Sequence, residues 1–203
     1  RVFGSGLFGR DAWQAIADED VPLWSVSFIN PQMAALKNQL RLIDEHGETE
    51  GADESEMPEA YVAVFVLPLS RAEKAERALE RIVADSGGAM IDRNLAAHEW
   101  EDRFSIMHIK RLGPSLIPAE VVLPLEGLGK ALASIEESVH LPFVIEGMVA
   151  RGEAEPEVIL LGFIPHDERC FAYNLAFGLS LSIVQQAKVH GGRVYGSGLY
   201  FAH

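Results

Sequence analysis

Glu146 lies inside an apolar run, PFVIEGMV, residues 142–149 of a 203-residue chain. A carboxylate among such neighbours is costly unless it is paired or turned to solvent. Strand alternation places Phe143, Ile145 and Gly147 on one face and Val144, Glu146 and Met148 on the other, so Glu146 reads as a half-buried pocket wall. Arg103 follows Trp100 in a W-x-x-R pattern. Its planar guanidinium can grip a carboxylate through two parallel hydrogen bonds; a surface ion pair with Glu99 or Asp102 is the competing explanation. Lys110-Arg111 precedes Leu112-Gly113-Pro114 and either joins Arg103 in holding an anion or forms a solvated basic patch. His108, within FSIMHI, either faces a pocket or is a satisfied strand histidine. Tyr195, Ser197 and Tyr200 belong to the glycine-rich RVYGSGLY at 193–200, where the phenols offer hydrogen-bond donors or simply pack.

Other chemistries find little support. The seven histidines include no H-x-H or H-E-x-x-H spacing, and Cys170 is the single cysteine, so no metal or iron–sulfur site is expected within the chain. A formal charge of −13 argues against nucleic acid, whose binding runs on phosphate neutralisation. Eight of the acidic residues fall between Asp44 and Glu59 with no Lys or Arg among them, which reads as a solvated loop or an acidic docking segment. No run of 18 apolar residues is present, so no membrane span is expected, and a cytoplasmic setting is the default expectation.

These residues need elements to position them. Residues 1–10 read as irregular and 21–29 as a strand. Asn30-Pro31 then supplies an N-cap and a first-turn proline for a helix carrying Met33, Leu36, Leu40 and Ile43. The run 61–67 is strand-like. Ser70-Arg71-Ala72-Glu73 has the form of a capping box, opening a helix that buries Ala75, Leu79, Ile82 and Val83 and stops at Gly87-Gly88. A short strand is expected around Met90. A strand at 119–123 precedes a helix with Leu125, Leu128, Leu132, Ile135 and Val139 on one face. Strands at 143–149 and 157–163 flank a hairpin. The last helix is expected to bury Phe171, Leu175, Leu179 and Ile183.

The expected class is α+β: a mostly antiparallel sheet with helices on one face, built from duplicated ferredoxin-like (split βαβ) units. A single domain over 1–203 is expected, with sub-units at 1–99 and 100–203. RVFGSGLF at 1–8 and RVYGSGLY at 193–200 agree at six of eight positions. They are either locally duplicated or a pair of loops lining one cleft.

Trp100 and Arg103, the strand and helix AEVVLPLEGLGKALASIEE, the paired strands and the long helix ending at Gly191-Gly192 together resemble a known cap domain. It is the C-terminal cap of FAD-linked oxidoreductases, of the D-lactate dehydrogenase and glycolate oxidase D-subunit type, in the vanillyl-alcohol-oxidase-like superfamily. The resemblance implies a substrate-binding cap over a flavin, acting on a small 2-hydroxy acid or related alcohol. It implies as partners the protein's own N-terminal FAD domain, without which the cap is inactive, and an iron–sulfur electron-transfer protein. In that setting Trp100, Arg103, Lys110 and Arg111 bind substrate, Glu146 and His108 handle the proton, and Tyr195, Ser197 and Tyr200 face the flavin. Two family motifs are altered. Glu146 stands where G-H-x-G-D-G-N-x-H has its first histidine, and Tyr195–Leu199 replaces G-E-H-G. The alternative is a non-enzymatic ferredoxin-like module that binds a metabolite or a protein.

Overall fold

The computed structural model describes residues 2–7, 12–19, 21–45, 56–103, 106–113, 115–152 and 155–196, with 2–7, 13, 14, 17 and 41–45 described by backbone alone. Its order is β1 (Val2–Leu7), α1 (Ala12–Asp18), β2 (Ser25–Ile29), α2 (Pro31–Glu45), β3 (Val62–Val66), α3 (Ala72–Asp85), α4 (Arg93–Glu101), β4 (Ser115–Pro124), α5 (Leu128–Ser138), β5 (Val144–Arg151), β6 (Pro156–His166), α6 (Tyr173–Val189) and β7 (Arg193–Val194). Short 3-10 helices occupy Leu69–Arg71 and Ile106–Leu112.

The strands form one antiparallel sheet in the order β1-β3-β2-β5-β6-β4-β7. The fold is α+β, as the alternation of strand and helix patterns leads one to expect, but helices cover both faces of the sheet rather than one. Helices α1, α3, α5 and α6 cover one face, packing on Phe28, Phe65, Val121, Ile145 and Leu160. A second, smaller core lies on the other face. There α2, α4 and the 3-10 helix Ile106–Leu112 cover Ile29, Val62, Val144 and Phe163, while on the β4 side of that face Val122 is buried and Glu120, Ile159 and Leu161 are half-buried.

Two strand-interior glycines fix how the middle strands meet. Phe28 pairs with Gly147, and a Cβ there would stand 2.2 Å from the Phe28 ring. Phe143 likewise lies across Gly162, where a Cβ would come within 2.5 Å of its ring. A missing side chain lets an aromatic ring lie across the strand, which pins the register.

Asn30 ties β2 to β5. Its Oδ1 accepts from Met33 N and Ile145 N, both at 3.1 Å, and its Nδ2 donates to Phe143 O at 2.7 Å. The expected N-cap thus forms, and the same side chain also extends the β2–β5 ladder. Asn38 plays a comparable part further along α2, exchanging two hydrogen bonds with the backbone of Met57.

Three expectations on local structure change, and one segment that the pattern left unassigned gains an element. Residues 2–7 form β1 rather than an irregular segment. Ser70 lies inside a 3-10 turn and caps nothing; α3 begins with Arg71 at its N-cap. The segment 93–101 is a helix, capped by Asp92 through Asn94 N. Helix α6 buries Ala176, Ser180, Ile183, Val184 and Ala187, turning Phe171 and Leu175 to solvent. Small residues let it lie close on β4, where Ser180 Oγ donates to Pro118 O at 2.9 Å.

Strands β1 and β7 are the two edges of the sheet. Six strand spacings, about 29 Å, separate them, so Val2–Leu7 and Arg193–Val194 do not line one cleft. The remainder of the second octapeptide, from Ser197, lies outside the described residues.

Candidate functional site

The second face of the sheet carries a compact group of charged side chains. Glu146 leaves β5 on the side of Val144, opposite Ile29 of β2. Beside it a cavity of about 20 Å³ is lined by Ser27, Phe28, Ile29, Lys37, Val62, Val64, Glu99, Arg103 and Glu146. That volume is close to the minimum that holds one water molecule.

Two helices supply the rest of the group. On α2 the inward stripe Met33, Ala34, Leu40 is interrupted by Lys37, and on α4 the stripe Leu95, Ala96 is continued by Glu99. Lys37 Nζ donates to Glu99 Oε2 and lies 3.8 Å from Asp102 Oδ2. His98 Nδ1 is 3.8 Å from the other Glu99 oxygen. A lysine and a glutamate buried in this way stabilise each other chiefly by sparing each an unpaired charge.

Glu146 feels Lys37, Glu99 and Asp102. Burial pushes its carboxyl up to about 7; Lys37 opposes the shift, while Glu99 and Asp102 add to it. Its protonation is therefore poised near neutrality, which suits a group that takes up or gives back a proton.

Arg103 borders the same cavity. Its guanidinium lies 4.0 Å from the Trp100 ring centroid, and Nη1 donates to the Trp100 carbonyl one helical turn back. The W-x-x-R spacing thus serves first to hold the arginine flat on the indole.

The structure brings Glu146, Arg103 and Trp100 together. His108, Lys110 and Arg111 are exposed on the 3-10 helix Ile106–Leu112 and do not line the cavity. Tyr195 is half exposed just beyond β7, its N–H donating to Glu120 O at 3.1 Å. Register places it on a row with Glu146, since Ile29 pairs with Glu146, Glu146 with Leu161, and Leu161 with Glu120. Glu146 and Tyr195 are then three strand spacings apart, about 14 Å. Ser197 and Tyr200 lie outside the described residues. Among the described residues, no cluster of His, Cys, Asp and Glu is disposed to hold a metal ion.

The sequence reading passed over Lys37, Ser27 and Glu120, and it took Glu99 only as a surface partner. A charged residue interrupting an apolar helical stripe is the signal that would have marked Lys37 and Glu99. Ser27 and Glu120 gave no such signal; only the register reveals them.

No family model matches the sequence, and no curated protein matches it. In fold, the chain is similar to alkyldihydroxyacetonephosphate synthase in two crystal forms, P212121 and P1, with TM-scores of 0.57 and 0.58 at 12% and 11% identity. Each superposition covers 94% of this chain and 39% of the synthase chain, so the chain spans about two fifths of the synthase's length. At this identity the likeness is one of fold.

Proposed function

We propose that this chain is the substrate-binding cap of an FAD-dependent oxidoreductase acting on a small 2-hydroxy acid or related alcohol. The observation that carries the reading is Glu146, a carboxyl whose protonation is poised near pH 7 by burial, on a sheet face only partly covered by helices. The fold likeness supports a cap-like domain beside a flavin, since alkyldihydroxyacetonephosphate synthase is an FAD-binding enzyme of the vanillyl-alcohol-oxidase-like family. We read the two halves as copies of one split βαβ unit in a single domain. The strand orders β1-β3-β2 and β4-β6-β5 mirror each other about the β2–β5 seam, and one core draws on both halves.

The cavity beside Glu146 is far too small for an isoalloxazine ring. In this reading the flavin is held by a separate domain and faces the half-buried part of the sheet on the β4 side. Across it Ser27, Met148, Ile159 and Val122 form one row, and Glu146, Leu161, Glu120 and Tyr195 the next. When bound, FAD would accept the hydride. The chain's own residues supply a proton acceptor in Glu146, a cation in Arg103 for the substrate carboxylate, and apolar strand surface that excludes water.

The test uses the protein together with its flavin domain. A flavin absorbance spectrum that bleaches anaerobically with a member of a 2-hydroxy-acid panel is expected. Glu146→Gln should keep the flavin and slow its reduction by about a hundredfold, the usual worth of a general base. Absence of flavin, or a flavin that none of the acids reduces, would reject the reading in favour of a non-enzymatic module.

A further inference from the structure

Helix α3 sorts its charges by sign. At about 100° per residue, Lys74, Arg77 and Arg81 fall within about 60° of one another, and Glu73, Glu76 and Glu80 form a second stripe about 100° away. Arg71, at the helix N-cap, continues the basic line toward Leu69. The chain holds 30 acidic residues against 17 basic, so a line of four cations is a local reversal of its charge.

This line borders a groove. Two adjoining cavities, of about 490 and 580 Å³, lie between α3 and the segment that follows α1, and both are lined by Pro22, Lys74 and Arg77. Val21 and Arg81 belong to one of them, Leu69 and Arg71 to the other. Arg77 pairs with Glu73 and Arg81 with Glu19, whereas Arg71 and Lys74 have no ion-pair partner among the described residues. Exposed pairs of this kind hold weakly and exchange readily for another carboxylate.

Apolar surface at the Arg71 end is an independent observation. Leu69 lines the groove and is 67% exposed. Trp24 is 74% exposed, and its backbone N–H donates to Val66 O at 2.8 Å, three residues before Leu69. Tryptophan and arginine are the side chains that most often anchor a protein partner.

The spacing of the cations says what kind of partner fits. A lone phosphate group calls for donors that converge on one point. Here the cations are strung over about 15 Å, three or four residues apart. An extended peptide turns alternate side chains to one side about 6.8 Å apart, so about three of its carboxylates can meet this line. Glu19 and Glu73 in the groove wall, and the net charge of −13, oppose a nucleic-acid backbone.

We propose that this groove docks an extended acidic segment of a partner protein. Arg71, Lys74 and Arg77 answer a row of its carboxylates, and Leu69 and Trp24 take an apolar side chain at one end.

The test is fluorescence anisotropy of a labelled synthetic peptide in which Glu alternates with Ser around one Leu. Binding to the protein is expected with a Kd of tens of micromolar at about 20 mM salt, weakening at least about tenfold by 300 mM. Arg71→Glu with Lys74→Glu should raise Kd about tenfold or more. Lys110→Glu with Lys188→Glu makes the same change in net charge outside the groove and should leave Kd within about twofold. Leu69→Ala should cost about fivefold. All these positions are exposed, and circular dichroism confirms that each variant folds. A native protein that does not bind the peptide would overturn the proposal, as would equal losses in the two charge-reversed pairs. Indifference to Leu69→Ala would make the groove a general anion patch and reject the peptide assignment. Displacement of the peptide by a lower concentration of pyrophosphate or of oligothymidylate would reject it in favour of a phosphate ligand or a nucleic acid.

Discussion

Glu146 holds its proton because its surroundings favour the neutral form. The chain buries it opposite Ile29 and beside Val62 and Val64; burial is the main cause, Lys37 opposes it, and Glu99 and Asp102 add to it. A consequence for stability follows from the sign of the shift. An unfolded glutamate ionises near 4.5 and the folded Glu146 near 7, so between those values the native state binds more protons. Stability contributed by this group is therefore full below about pH 4.5, declines as pH rises, and levels off above about 7. The shift corresponds to about 3 kcal/mol. Glu146→Gln removes the titration, so the stability of the native sequence relative to the variant should fall by that amount between pH 4.5 and 7.5, measured by urea unfolding. Parallel profiles for the two proteins would show that the carboxyl does not titrate in this range. The position of Glu146 was legible because alternation along one strand settles which way it faces. The partners that tune it were not, because Lys37 is more than 100 positions away and meets it only through the β2–β5 pairing.

At the scale of elements, the decisive feature is how β2 and β5 lie against each other. Only Ser27–Met148, Phe28–Gly147 and Ile29–Glu146 are paired, so the register depends on a few contacts. Gly147 leaves the space that the Phe28 ring fills, and a slip of one residue would send Glu146 to the opposite face, into the main core under α1, α3, α5 and α6. Gly147→Ala puts a methyl where the ring lies, in a site with no room to yield, and should destabilise by about 2–3 kcal/mol. Combining it with Phe28→Leu, which frees that space, should recover part of the loss. If Gly147→Ala unfolds at the native urea midpoint, the ring does not pin the register. Periodicity found α3 and α5 with their buried residues, since their inner faces carry large aliphatic side chains. It misplaced α6, whose inner face carries small ones. Bulk marks a buried face only where the gap to the sheet is wide, and Ala176, Ser180 and Ala187 fill a narrow one.

For the whole molecule, the question is whether the two halves fold as one. The seam is short, yet the main core runs across it: Val26, Phe28 and Phe65 from one half join Ile145, Leu160 and Ile183 from the other. Asn30 adds hydrogen bonds from its fully buried side chain to Phe143 and Ile145 across the seam. A continuous core should make unfolding a single cooperative event. The sequence offers a direct way to see it. All three tryptophans, Trp13, Trp24 and Trp100, precede β4, so fluorescence reports the first half while far-ultraviolet circular dichroism reports both. In urea the two signals should change together. Asn30→Ala leaves the Ile145 and Met33 amides and the Phe143 carbonyl without their partner, at about 1 kcal/mol or more apiece. It should lower stability by about 3 kcal/mol while keeping the two transitions coincident, because the aromatic and aliphatic contacts across the seam remain. Separate midpoints in the native sequence would make the halves independent domains. Separation appearing only in Asn30→Ala would show that this one side chain, rather than the shared core, is what couples them.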